Sequence, residues 1–263
     1  MLKTKGITFV FYKFSTNLQH MNLVIDVGNT LIKLAVFNNN TLVLKKAVAE
    51  HTIIKTVTEI KMDYPNLVTA IISSVGKLQQ STLIFLESQF SLQVLSAEVM
   101  LPFTNLYETP NTLGVDRIAL VAASVKQFPK QDVLIIDAGT CLTFDFINKQ
   151  KQYLGGAISP GLQMRYQALH NFTAKLPLLE REMPAKLIGA STNAAIHSGV
   201  VYGVLNELDG VINEYKLRYP DLSVILTGGD AKFLSKQLKS SIFALSDFLL
   251  EGLNYILQYN INE

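Results

Sequence analysis

The sequence predicts an α/β protein of two like halves that face each other across a cleft. Its 263 residues exceed the usual size of one compact core. Short apolar runs divided by turn formers alternate with stretches of helical spacing, the signature of mixed architecture. One local device also occurs twice: an aspartate closing an apolar strand and followed at once by a glycine turn, at Asp26-Val27-Gly28 and again at Asp137-Ala138-Gly139. About one small domain separates the copies, which points to duplication of a strand-rich unit.

The elements follow in order. Residues 1–20 carry Lys3, Lys5 and Lys13 around a short apolar run without a small-residue cleavage site, and read as a non-structural extension, with translation expected to begin at Met21. Apolar runs at 23–26, 31–37 and 42–44, the last two divided by Asn38, Asn39 and Asn40, predict a strand meander. A helix is expected over 52–61 and a buried strand over 68–73. An apolar helix follows Asp116-Arg117, and Pro129 with its polar neighbours places a boundary near 122–131, dividing the chain into 21–125 and 126–263. The second cycle has strands at 133–137 and 143–147, then a glycine-rich turn at Gly155 and Gly156. Beyond Gly161 the pattern turns mainly helical through Leu162, Leu169 and Leu176, with a small-residue helix over 192–208. A last strand, 224–227, runs into Gly228-Gly229-Asp230. Ser246 is placed to cap a final helix whose Phe248, Leu249, Gly252, Leu253 and Ile256 share one face.

Composition removes several functions. With 49% hydrophobic and 17% charged residues the chain can fill a large core, unlike a disordered or fibrous protein. A formal charge of +2, with no dense basic block, gives a nucleic acid nothing to hold. Cys141 is the single cysteine, and His20, His51, His170 and His197 lack paired spacing, so neither a disulfide nor a zinc site is expected and a reducing cytoplasm fits. No apolar run approaches the roughly 20 residues of a membrane-spanning helix. His51 and His170 read as surface residues, His197 as a satisfied core histidine, and Cys141 as a small buried filler.

A carboxylate at a strand end beside a glycine turn can hold Mg²⁺, usually through water, while the turn's amides cradle phosphate oxygens. Asp26 with Gly28, Asn29 and Thr30 has this form, and Lys33 adds a point charge for polyphosphate. A lone Asp-x-Gly is also an ordinary turn; two facing copies suit a nucleotide held between halves. Asp116-Arg117 supplies a third carboxylate and a planar fork, though the pair also reads as a helix cap with a surface ion pair. Residues 155–161 (GGAISPG) allow close backbone approach to a ligand, or a plain helix-start turn. Residues 227–230 (TGGD) would let a flat ring such as adenine come near the backbone.

In this order the pieces resemble type III pantothenate kinase, of the actin and hexokinase superfamily. The resemblance rests on residues 26–33 (DVGNTLIK), 73–75 (SSV), 107–117 (YETPNTLGVDR), 137–145 (DAGTCLTFD), 155–161, 192–199 and 226–231 (LTGGDA), and spans nearly everything after residue 20. The first and fourth motifs are general to the superfamily; the third, followed by the fifth, is much more particular. The resemblance implies two duplicated ribonuclease H-like domains of the actin-like ATPase type with a nucleotide in the interdomain cleft. It implies ATP-dependent phosphorylation of the primary hydroxyl of pantothenate to 4′-phosphopantothenate, the first step of coenzyme A synthesis. Asp116 would be the general base. Asp26, Val27, Gly28, Asn29, Thr30, Leu31, Ile32, Lys33 and Thr140 would hold ATP. Asp137 would hold a monovalent cation, K⁺ or NH₄⁺, and Tyr107, Gly114, Val115, Asp116, Arg117 and Thr192 the pantothenate. A homodimer with substrate near the subunit interface is implied as well. Cys141 departs from the alanine common in the family.

Two rival readings keep the same nucleotide-binding half: a kinase or phosphohydrolase for another small alcohol, and a nucleotide-bound accessory factor for transcription. Retention of all three aspartates favours catalysis.

Overall fold

The computed structural model describes residues 21–28, 31–74, 78–96 and 98–261; the expectation for residues 1–20 lies outside them. The chain opens on the meander its alternating runs predict: β1 (Met21–Val27), β2 (Ile32–Asn38) and β3 (Thr41–Val48), each antiparallel to the next, with Asn39 in the left-handed region at φ 53° between the last two. Helix α1 (Ile53–Asp63) carries the chain to β4 (Thr69–Ser74), parallel to β1, and α2 (Gln80–Gln89) leads to the parallel edge strand β5 (Ser91–Val94). The sheet order is β3-β2-β1-β4-β5.

After the two-residue strand β6 (Thr104–Asn105) and helix α3 (Val115–Gln127), the same plan repeats. Its strands are β7 (Val133–Ala138), β8 (Cys141–Ile147), β9 (Gln152–Pro160), β10 (Ser223–Thr227) and β11 (Phe243–Ala244). Its helices are α4 (Leu162–Asn171), α5 (Thr192–Arg218), α6 (Ala231–Leu234) and α7 (Phe248–Ile261). The order β11-β10-β7-β8-β9-β6 is the first sheet's order with β6 added at one edge. Duplication, inferred from two aspartates, is thus visible in the topology.

Three apolar layers follow from strand alternation, since successive side chains take opposite faces. Leu23, Ile25, Leu34 and Ile72 pack outward against Ile53, Val57 and Ile60 of α1. Leu134, Ile136, Phe144 and Leu226 pack outward against α4 and α5. Val24, Phe37 and Ile71 of the first sheet, with Ile135, Ile147 and Ile225 of the second, face inward on α3 and α7, which lie between the sheets. These two helices touch closely: a Cβ at Gly252 of α7 would sit 1.9 Å from the Ala119 carbonyl oxygen of α3, so only glycine permits the approach. Asn22 of β1 donates to Asn254 of α7 at 2.9 Å, and Asn254 donates in turn to the Asn39 carbonyl at 2.8 Å. The helix that ends the chain is therefore fastened to the strand that begins the fold. The boundary expected at 122–131 falls on the end of α3 and the turn after it.

Three expectations need correction, and one helix was not foreseen. Gly155 and Gly156 lie inside β9, opposite Phe146 and Asp145, because a side chain at 156 would collide with the Phe144 carbonyl; the glycines mark close strand approach and no turn. Helical structure after Gly161 stops at Asn171, and α5 continues past residue 208 to Arg218 because Leu208 and Ile212 extend its buried stripe. Ser246 donates to the Asp247 carboxylate, and the Asp247 carbonyl accepts the Glu251 N–H at the start of α7. Finally, α2 buries little beyond Thr82 and Leu86, so its periodicity is too faint to read from sequence.

Candidate active site

The inward-facing rows do not stop where the core stops. Two residues beyond Val24 on β1 stands Asp26, and two beyond Ile71 on β4 stands Ser73; on β2, Lys33 precedes Ala35 by two. In the second sheet the same step leads from Ile135 to Asp137, from Ile225 to Thr227 and from Ile147 back to Asp145 and Thr143. Alternation thus carries polar side chains of both sheets to one end of the central layer. The N-terminus of α3 enters the same space, with Asp116 in its first turn.

Asp26 is buried and held from two sides: Lys33 Nζ donates to Oδ2 at 3.2 Å and the Ser73 hydroxyl donates to Oδ1 at 3.2 Å. The Gly28 N–H reaches the Leu31 carbonyl at 3.3 Å across the turn. Val27 and Ile32 send their side chains into the outer core, which leaves only their backbone for a ligand at this turn, while Leu31 is exposed. Asn29 and Thr30 lie outside the described residues.

Asp116 folds back on its own helix, Oδ1 accepting the Arg117 N–H at 2.8 Å. Gly114, the residue before α3, makes room, since a Cβ there would lie 2.4 Å from that oxygen. Val115 packs on the central core. Burial raises the Asp116 pKa, the backbone hydrogen bond opposes it, and the charges of Asp145 and Asp26 add to the rise. Asp137 is pushed up to about 6, first by burial and then by the charge of Asp116, with Lys33 pulling the other way. Such mutual effects require the carboxylates to share one poorly solvated space. Gly228, at φ +94°, lies over Asp137; a Cβ there would come within 2.3 Å of the carboxylate. Thr140 is exposed in the turn closed by the Gly139 N–H on the Cys141 carbonyl, and Cys141 is half-buried, 4.0 Å from the Met164 sulfur.

Behind Asp116 lies a group the sequence did not single out. Asp145, fully buried, accepts Arg117 Nε at 2.8 Å and the Tyr153 hydroxyl at 2.7 Å on one oxygen, with Arg117 Nη2 also 2.7 Å away. Burial alone would lower the Arg117 pKa, but Asp145 drives it upward. The Tyr107 ring stacks on Tyr153 with centroids 6.0 Å apart and lies 5.5 Å from the Arg117 guanidinium. The available signal was a charge, Asp145, set inside the otherwise apolar β8, since a buried carboxylate demands a partner.

Thr192 belongs elsewhere. It opens α5 and lines an apolar groove of about 860 Å³ with Leu169, Phe172 and Ile196, which shares no residue with the acidic cluster. His197 meets the Tyr166 hydroxyl at 2.9 Å, and His170 the Leu176 carbonyl at 2.8 Å, so both are structurally engaged.

The family described as type III pantothenate kinase matches residues 22–214. The chain belongs to the type III pantothenate kinase family. Relatives of that description are 48% identical over 92% of this chain and 99% of theirs in Flavobacterium johnsoniae, and 50% identical over 91% of this chain and 99% of theirs in Christiangramia forsetii. Among solved structures, a Campylobacter jejuni protein described as of the Baf transcriptional-activator family superposes with a TM-score of 0.59 at 21% identity, covering 92% of this chain and all of that one. A ROK hexokinase from Thermus thermophilus gives 0.52 at 10% identity, over 93% of this chain and all of that one. Such distant superpositions establish the actin-like fold that the paired sheets display, and the family's kinase chemistry has its scaffold here.

Proposed function

We propose that the acidic opening between the sheets is where this pantothenate kinase transfers the γ-phosphoryl group of ATP to the primary hydroxyl of pantothenate, giving 4′-phosphopantothenate on the route to coenzyme A. The observation that carries the reading is that Asp26, Asp116 and Asp137 stand at the ends of β1, α3 and β7, near enough for the charges of Asp116 and Asp26 to act on Asp137. Phosphoryl transfer asks a protein mainly to align an alcohol with the phosphate and to offset charge.

Asp116 is assigned as general base. Its raised pKa brings it nearer neutrality, where a base both stays ionised and still draws a proton. The turn after Asp26, with Lys33, is assigned to the nucleotide phosphates, and Thr140 lies on the matching turn of the second sheet. Tyr107 and the segment from Gly114 to Arg117 are assigned to pantothenate.

The donor set fits the ions the family implies. Among the described residues no three His, Cys, Asp or Glu side chains form a metal cage. Mg²⁺ would be held through one or two carboxylates, Asp26 among them, and the substrate phosphates, and would offset phosphate charge when bound. Asp137 has the buried Thr143 hydroxyl opposite it on β8, without a hydrogen-bond partner among the described residues. One carboxylate with neutral oxygens fits a monovalent cation, K⁺ or NH₄⁺.

A homodimer is part of this reading. The groove beside Thr192, with Phe172 88% exposed at its edge, is an apolar surface of the kind a second copy covers. Such a copy would bring Thr192 to the site as a contribution across the interface. Residence in the cytoplasm is proposed with it; among the described residues no helix is long and apolar enough to cross a membrane.

A coupled ADP-release assay comparing pantothenate with sugars and glycerol tests the reading. Pantothenate-dependent turnover is expected. ATP loss independent of acceptor would make the chain a hydrolase, and silence with all acceptors would sink the kinase assignment.

A further inference from the structure

Arg117 is an unusual choice for a residue assigned to a substrate. It is only 5% exposed, and the Asp145 carboxylate that neutralises it is fully buried on β8. Asp145 concentrates its contacts on one oxygen: Arg117 Nε at 2.8 Å, Nη2 at 2.7 Å and the Tyr153 hydroxyl at 2.7 Å. Its other oxygen has no hydrogen-bond partner among the described residues. The guanidinium is gripped on its far side by the carboxylate and lies against the Tyr107 ring on another. That ring is fixed in turn by stacking on Tyr153 and by Gly155, where a Cβ would lie 3.2 Å from it.

Tyr107, before α3, and Arg117, in its first turn, belong to one short segment, and both are set by the same pair on β8 and β9. A buried ion pair is poor evidence for stability, because desolvating two charges offsets most of their attraction. What such a pair provides is a fixed direction, since a planar fork held at one edge has its remaining N–H groups aimed.

We propose that Asp145, with Tyr153, is a positioning residue for pantothenate recognition: it fixes the Arg117 guanidinium and, through Tyr153, the Tyr107 ring, so that both meet the acceptor in one orientation. The inference rests on the assignment of this cleft to pantothenate. Asp145 touches no substrate; it acts through Arg117.

Steady-state kinetics on the full chain test it. Asp145→Asn keeps the shape and removes the charge, and should raise the KM for pantothenate roughly ten- to a hundredfold. The KM for ATP should stay within about twofold, and kcat should fall far less than the pantothenate KM rises. In an Arg117→Lys background, where the fork is already lost, the same substitution should add little further change. A merely structural role would lower the active fraction, moving kcat and neither KM, and that outcome overturns the proposal. If Asp145→Asn does not fold, Tyr153→Phe decides: a KM increase confined to pantothenate supports the positioning role, and an unchanged KM removes it. Wild-type turnover with an unmoved pantothenate KM in the variants sinks this inference alone, whereas absence of wild-type turnover on pantothenate takes down the functional reading beneath it.

Discussion

Asp26 and Asp137 hold matching places in the two sheets, and their neighbours differ in charge. Across the strand pair from Asp26 stands Lys33, and on the other side Ser73. Across from Asp137 stands Thr143, and on the other side Thr227. Duplication supplied the same pocket wall twice, and one change from lysine to threonine separates the two in electrostatics. The first carboxylate carries its own counter-charge at 3.2 Å; the second has two hydroxyls and a pKa pushed up to about 6. A carboxylate without a built-in partner is one that a dissolved cation can serve.

The largest effect is expected outside both copies, at the residue they share. Asp116→Asn should lose about 10² to 10⁴ in kcat while still melting normally and binding ATP in calorimetry. Near-normal turnover would remove Asp116 from its role. The comparison sharpens at Asp26→Asn, which removes the counter-charge of Lys33 at the turn proposed for the phosphates. A rise of roughly 10- to 100-fold in the KM for ATP is expected, and an equal rise for pantothenate would break the assignment of the two sides.

Asp137→Asn probes the second copy through pH. The folded pKa, about 6, lies above the ordinary 3.8, so the proton is held more tightly in the folded chain. The resulting stabilisation is fully present below about pH 4 and is lost as pH rises through 6. Removing the charge should therefore stabilise the fold at pH 7.5 without added K⁺ by an amount on the order of 1–3 kcal/mol, read as a higher Tm, and change little near pH 4. Added K⁺ should narrow the gap by stabilising only the wild type. A Tm gain equally large at both pH values would dismiss the buried charge as its cause.

The smallest effect is assigned to Thr143→Val. Replacing a buried hydroxyl that lacks a partner should cost nothing, or gain about 1 kcal/mol. Activation by K⁺ should need a few-fold more of the ion. A clear loss of stability would mean that the hydroxyl is already satisfied.

Much of this comparison was legible beforehand, because strand-end aspartates with glycine turns are local patterns and the meander of β1 to β3 is written in alternation. The three aspartates were therefore readable one by one as carboxylates at element ends. Asp145 was not, since its meaning depends on Arg117 arriving from another element, and no local spacing records that. Gly155 and Gly156 misled for a related reason: glycines side by side signal a turn, whereas here Gly156 answers a carbonyl on the neighbouring strand and Gly155, at φ +103°, the Tyr107 ring. The place of Thr192 was also hidden, because a residue that serves a surface leaves no trace in one chain's periodicity.

The fastening of Asn254 to Asn22 has a consequence for biosynthesis. The inner face of the first sheet is covered by α3 and α7 together, so strands made early keep part of that face bare until α7 leaves the ribosome. A chain cut before residue 248 would leave its early strands without the part of their cover that α7 supplies.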